Sequence, residues 1–134
     1  MMDAATRVKK ARRLLWVQEQ LYRAERSTLV RLERELARTE TAQNEITQAI
    51  GEGTLRPEHA DLAIVRLRSL SREGRRLMRE RDKQQETAAM HEARLSRVEN
   101  ASRAAKLSAL REDEAKALAE IANCFARDRT TRSA

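Results

Sequence analysis

His59, His91 and Cys124 are the residues of this chain whose types could ligate a metal or supply a nucleophile, together with the acid–base string Glu58-His59-Ala60-Asp61. Metal binding by local spacing needs ligands within a turn or two of one another, and the two histidines stand 32 residues apart on one helical stretch. The Glu58 string lacks zincin spacing, and its acids suit the first turn of a helix, where the N-terminal dipole favours negative charge. Cys124 is followed by Phe125 and has no histidine near it, so it reads as a small, half-buried apolar side chain rather than an activated thiol. Gly51-Glu52-Gly53 lacks both the Gly-Lys-Ser/Thr and the preceding strand of a phosphate loop. The chain is therefore expected to be non-enzymatic, with no catalytic, cofactor-binding or metal-ligating residue.

Charge is the chemistry that remains. The formal net charge is +7, and its excess is local. Residues 1–13 carry Arg7, Lys9, Lys10, Arg12 and Arg13 against Asp3, and the end of the chain adds Arg127, Arg129 and Arg132 against Asp128. A third basic stretch, 66–83, holds Arg66, Arg68, Arg72, Arg75, Arg76, Arg79, Arg81 and Lys83 against Glu73, Glu80 and Asp82. Acidic partners should be sought at those places. The start, Thr6-Arg-Val-Lys-Lys-Ala-Arg-Arg13, superficially copies the basic region of a DNA-binding zipper. Against that reading, no asparagine lies in residues 1–43 to read a base edge, and the Trp and Tyr fall on or near the apolar face. Basic amphipathic helices also lie on anionic lipid, but here the apolar stripe has a partner within the same chain.

The elements that must carry these groups are helical. Apolar residues make up 40% of the chain but aromatics only 2%, too few rings for an ordinary globular core, and 37% of residues are charged. Disorder is the alternative for so charged a chain, but the apolar residues are periodic. Stepping three then four residues from Val8 gives Val8, Ala11, Leu15, Gln18, Tyr22, Glu25, Leu29, Leu32, Leu36, Thr39, Gln43, Ile46 and Ile50, a coiled-coil seam. A second stripe, Leu14, Val17, Leu21 and Ala24, widens that face near its start. Gly51-Glu52-Gly53-Thr54-Leu55-Arg56-Pro57 ends the first helix, because glycine supplies left-handed termination and proline fits the first turn of a second helix.

The second arm resumes as Leu62, Val65, Leu67 and Leu70, with Ile64 broadening the face, then Leu77, Gln84, Ala88, His91, Leu95 and Val98. Beyond Val98 the phase is expected to slip to Leu107, Leu110, Leu118, Ile121 and Phe125. The fold class is all-α: a long two-helix antiparallel coiled-coil hairpin, with helices over about 4–50 and 58–128, a turn at 51–57 and a tail at 129–134. A break near 72–75, at Gly74, would make 58–72 a short tip helix; the helix formers flanking Gly74 favour continuity. In the antiparallel hairpin Leu14, Leu15, Leu21 and Tyr22 should face Leu118, Ile121 and Phe125, and the basic termini should meet. A single cysteine suggests a reducing, cytoplasmic setting. No apolar run approaches the ~20 residues of a membrane span.

This layout resembles the FliJ/YscO-type central stalk proteins of flagellar and injectisome type III secretion. The likeness lies in Arg7-Val-Lys-Lys-Ala-Arg-Arg13 running into a long Leu/Glu/Arg/Ala helix and in the break at Gly51 to Pro57. Leu62, Arg66-Leu67 and Leu70 come after it, then Glu92-Ala-Arg-Leu95, Arg97-Val-Glu99 and Ala105-Lys106. The resemblance implies a small cytoplasmic bacterial protein, peripheral to the inner membrane. It would sit in the pore of a hexameric secretion ATPase, stimulate it, and link it to the membrane export gate. On that basis Lys9, Lys10, Arg12, Arg13, Arg127 and Arg129 are expected to contact the ATPase, and Leu62, Ile64, Leu67 and Leu70 a second partner. The alternative is a self-associating structural coiled coil, in which Leu14, Val17 and Leu21 pair two hairpins into a four-helix bundle. A stalk would be a monomer and a bundle a dimer.

Overall fold

The computed structural model of the chain describes residues 2–133, and it is built from two helices, α1 (Ala4–Gly51) and α2 (Pro57–Ser133), with no strand among the described residues. The helices pack against each other as an all-α hairpin. Their residues cluster into two compact units, one of Leu21–Glu92, which contains the turn, and one of 2–20 with 93–133, which contains both chain ends.

Local chemistry sets the helix ends. Asp3 caps α1: the Thr6 amide donates to its Oδ1 at 2.8 Å, and the Arg7 amide to its carbonyl at 3.2 Å. That bond from Thr6, aided by Lys116 and Lys9, holds the Asp3 carboxyl below its ordinary 3.8. At the other end the Gly53 amide donates to the Ile50 carbonyl at 3.2 Å and the Thr54 amide to the Ala49 carbonyl at 3.3 Å. These are the paired bonds of a Schellman termination. Gly53, at φ 65°, is the left-handed residue this requires, while Gly51 is still helical. Pro57 opens α2 as its first residue, where a missing amide proton costs nothing, with Glu58 in the same turn.

In the turn-bearing unit the first-arm seam is placed as the periodicity predicts. Glu25, Leu36, Gln43 and Ile46 are half-buried and Leu29, Leu32 and Thr39 buried; only the last step differs, Ala49 turning inward instead of Ile50. The second arm departs more. Its inward positions are Ala60, Ala63, Leu67, Leu70, Gly74, Leu77, Arg81, Gln84, Ala88 and His91, an unbroken three–four alternation. Leu62 and Val65, read as seam residues, are exposed, because alanines take the inward places beside the turn. Leu77 is the most deeply buried side chain, 2% exposed.

Gly74 does not break α2. It is itself a buried seam position, and a Cβ built on it would lie 3.7 Å from Thr39 Cγ2, an ordinary contact. Thr39 is accommodated because its hydroxyl donates back to the Glu35 carbonyl at 2.9 Å, leaving its methyl to face the glycine. A small hollow lined by Leu36, Thr39, Gln43, Gly74 and Met78 marks the same level. One polar cluster interrupts the seam. Gln84 Nε2 donates to the Glu25 carbonyl at 3.0 Å and also to its carboxylate, and His91 Nε2 stands 3.9 Å from Glu25 Oε1.

In the other unit the inward positions of α2 are Leu95, Val98, Ser102, Ala105, Ala109 and Glu112, and those of α1 are Ala4, Val8, Ala11, Leu15 and Gln18. The phase slip expected after Val98 is absent, because small residues hold the inward positions while Leu107 and Leu110 point out. Helix α2 also runs on through 129–133, so the expected tail is helical.

The two loop-side and seam glycines respond to alanine in opposite senses. Gly74→Ala should raise the stability by about 1 kcal/mol, since the helix gains propensity and the methyl meets only ordinary contact. Gly53→Ala should lower it by about 1 kcal/mol, since its positive φ penalises a Cβ. Thermal unfolding monitored by circular dichroism reads both. Replacing the polar seam cluster together, Glu25→Leu with Gln84→Leu and His91→Leu, should raise the melting temperature but weaken the preference for one register. Spin-label distances across the helix pair, broadened in the triple variant, would report that loss.

Candidate interaction surfaces

A seam one side chain wide encloses little space. Among the described residues no group of three or more His, Cys, Asp and Glu stands close enough to hold a metal ion. His59 is exposed and His91 lies inside the seam. Cys124 is exposed rather than half-buried. What the molecule presents is surface, and register decides which.

The register near the chain ends is marked by the Arg7–Glu112 pair, at 2.6 Å. Helix α1 begins at Ala4, one turn before Arg7, so the part of α2 beyond about Lys116 has no α1 residue beside it. Every side chain from Asp113 to Arg132 is exposed. Counted from Glu112, the extension to Ser133 is about 30 Å of helix at 1.5 Å per residue. On it Leu118 is 67%, Ile121 53% and Phe125 65% exposed, one apolar face at helical spacing with Ala117 and Cys124 beside it. The expected cover of these three by Leu14 and Leu15 is therefore not made. Leu15 is half-buried in the seam of its own unit, and Leu14 is exposed on the flank of α1. Leu21 and Tyr22, expected on the same contact, belong to the turn-bearing unit, where Leu21 is exposed and Tyr22 half-buried.

The same overshoot keeps the basic ends from meeting. Lys9, Lys10, Arg12 and Arg13 are exposed near the start of α1. Arg127 and Arg129 are exposed on the extension, Arg127 about 22 Å further along α2 than the residue that pairs with Arg7. The four turn-side residues divide. Leu62 and Ile64 are exposed, Leu67 is half-buried, and Leu70 is a core residue, 6% exposed. Leu67 and Leu70 are thus part of what holds the hairpin together and offer a partner little, because the alternation that runs inward from Ala63 includes both.

Aromatic placement also differs from expectation. Trp16 is exposed on the outer side of α1, and Phe125 is exposed on the extension, so two of the three aromatic rings face solvent. Heptad assignment alone carried the signal for Trp16, since it lies one residue after a seam position. Among the described residues neither helix is long and apolar enough to cross a membrane. The fold and its surfaces define the chain as a helical hairpin with unpartnered helix faces. No family model, no curated protein and no solved structure matches it.

Substituting Leu118, Ile121 and Phe125 together by Ser should leave the unfolding free energy within about 1 kcal/mol of the parent, because exposed positions contribute little to folding. Leu77→Ala should cost roughly 2–5 kcal/mol. Denaturant unfolding of the two variants tests whether the extension is outside the folded core.

Proposed function

We propose that the chain is a non-enzymatic coiled-coil stalk or adaptor of a type III secretion apparatus, binding and stimulating the secretion ATPase and linking it to the export gate. The observation that carries the adaptor reading is the extension of α2. The residues beyond about Lys116 remain helical with no α1 residue beside them, yet carry Leu118, Ile121 and Phe125 on one side and Arg127 and Arg129 close by. Exposed apolar faces of this kind, rimmed by charge, mark protein–protein contacts. The secretion assignment rests on the resemblance of the basic start, the Gly51–Pro57 turn and the helix layout to the stalk family. In this reading Lys9, Lys10, Arg12 and Arg13 contact acidic surface of the ATPase ring. Charge steers and orients the encounter there, while apolar residues on the extension and at Leu62 and Ile64 supply most of the affinity.

Reversing Lys9, Lys10, Arg12 and Arg13 to Glu should abolish stimulation of the ATPase while the helical circular dichroism is retained. Stimulation that survives the reversal would remove these residues from the contact. A second reading is favoured by the exposure of Leu14, Val17 and Leu21, a stripe one hairpin does not cover. It makes the chain a self-associating scaffold of four helices per dimer. Sedimentation at micromolar concentration separates the two. A monomer agrees with the stalk, and a dimer that is lost on Leu14→Ser with Leu21→Ser agrees with the scaffold.

A further inference from the structure

The outer face of α2 beside the turn carries a second heptad row. Val65, Arg68, Arg72, Arg75 and Arg79 repeat at three- and four-residue steps, all are exposed, and Ile64 flanks Val65 at the turn end. At 1.5 Å per residue the row from Ile64 to Arg79 covers about 22 Å, four turns of helix. Such spacing keeps the five side chains on one side of α2, opposite the inward Leu67, Leu70, Gly74 and Leu77.

The charge on this row is left uncompensated by a division of labour among its neighbours. The acids between 66 and 83 are Glu73, Glu80 and Asp82. Arg76 takes both Glu73 and Glu80, and Arg81 takes Asp82 at 3.0 Å. Those two arginines lie off the row. Arg68, Arg72, Arg75 and Arg79 have no ion pair or hydrogen bond among the described residues. Four guanidinium groups thus stand in line on a rigid helix, mutually repelling, next to two exposed aliphatic side chains.

We infer that this face docks an acidic helix of a partner protein, one that presents an apolar residue and then carboxylates at matching three–four steps. Guanidinium groups favour carboxylate and phosphate through their planar fork of donors, so charge alone leaves both open. Two features select a protein helix. The row repeats at the spacing of an α-helix, so a second helix lying alongside meets every guanidinium with a side chain, as at the e and g positions of a coiled coil. At its turn end, one step before the exposed Asp61, it carries Ile64 and Val65, 43% and 61% exposed, which an apolar side chain can cover and a phosphate backbone cannot. From Asp61 to Lys83 there is no Asn, Gln or aromatic residue, so contact with a base would rest on arginine alone. The inference stands on this face alone and does not depend on the secretion reading.

The test uses the full chain and two synthetic helical peptides of one composition. One places Leu and then Glu at alternating three- and four-residue steps; the other scrambles the glutamates around the helix. Fluorescence anisotropy at about 0.15 M salt should give the in-row peptide at least about tenfold tighter binding than the scrambled one. Arg72→Glu with Arg75→Glu and Arg79→Glu should abolish that binding, as should the milder Gln series at the same positions. Glu substitution of Arg94, Arg97 and Arg103 should leave it in place, with circular dichroism confirming that each variant is folded. Equal affinity for the two peptides, or binding that survives the triple substitution, overturns the inference. So does tighter binding of a short DNA duplex or of anionic phospholipid vesicles than of the in-row peptide, since the face would then be a phosphate site.

Discussion

One line of inward-facing side chains per helix is what everything else in this molecule depends on. Leu29, Leu32, Leu70, Leu77 and Ala88 are its buried hydrophobic members, and no Phe, Tyr or Trp is buried with them among the described residues. So thin a core stabilises the hairpin only by repetition, each heptad adding a small apolar contact to the last. It also commits most of each helix circumference to solvent. Faces that a globular domain would cover are therefore available to other chains by default, and sequence decides only what they display.

Because the seam is narrow, specificity of register has to come from exceptions to it. Gly74 admits the Thr39 methyl, and Gln84 and His91 gather around Glu25. A hairpin of uniform Leu and Ala steps could slide by a heptad at little cost, whereas a buried amide that has lost its carbonyl costs one unsatisfied group. Among the described residues His91 Nδ1 and the hydroxyl of Ser102 lack a protein partner, whereas Gln84 and Thr39 are hydrogen-bonded.

Register in turn decides which faces are left exposed. With Arg7 beside Glu112, α1 ends its cover of α2 well before α2 ends, and the apolar residues of the extension have nothing to fold against. Near the turn the same logic works by charge. Arg76 and Arg81 consume the local carboxylates, and the arginines on the outward row keep their full attraction for an external acid. The proposed partners thus meet the chain on faces of different character, one apolar and one cationic.

The sequence by itself determined the class of fold, the inward line of α1 up to its last step, and the place of the turn. Each comes from local rules: periodicity for the seam, and the conformational limits of glycine and proline for the turn. It misplaced the inward line of α2 at both ends, because Leu62, Val65, Leu107 and Leu110 carry a stronger apolar signal than Ala60, Ala63, Ala105 and Ala109, which are the residues turned inward. Hydrophobicity ranks side chains singly, whereas the three–four alternation fixes which positions turn inward, whatever residue stands there. Of the residues expected at contacts, the basic ones and Leu62 and Ile64 are exposed, while Leu67 and Leu70 are drawn into the seam by the same alternation. Only the tertiary structure decided that Leu118, Ile121 and Phe125 stand uncovered, since which residue of one helix lies beside which of the other is a long-range fact that no local pattern states.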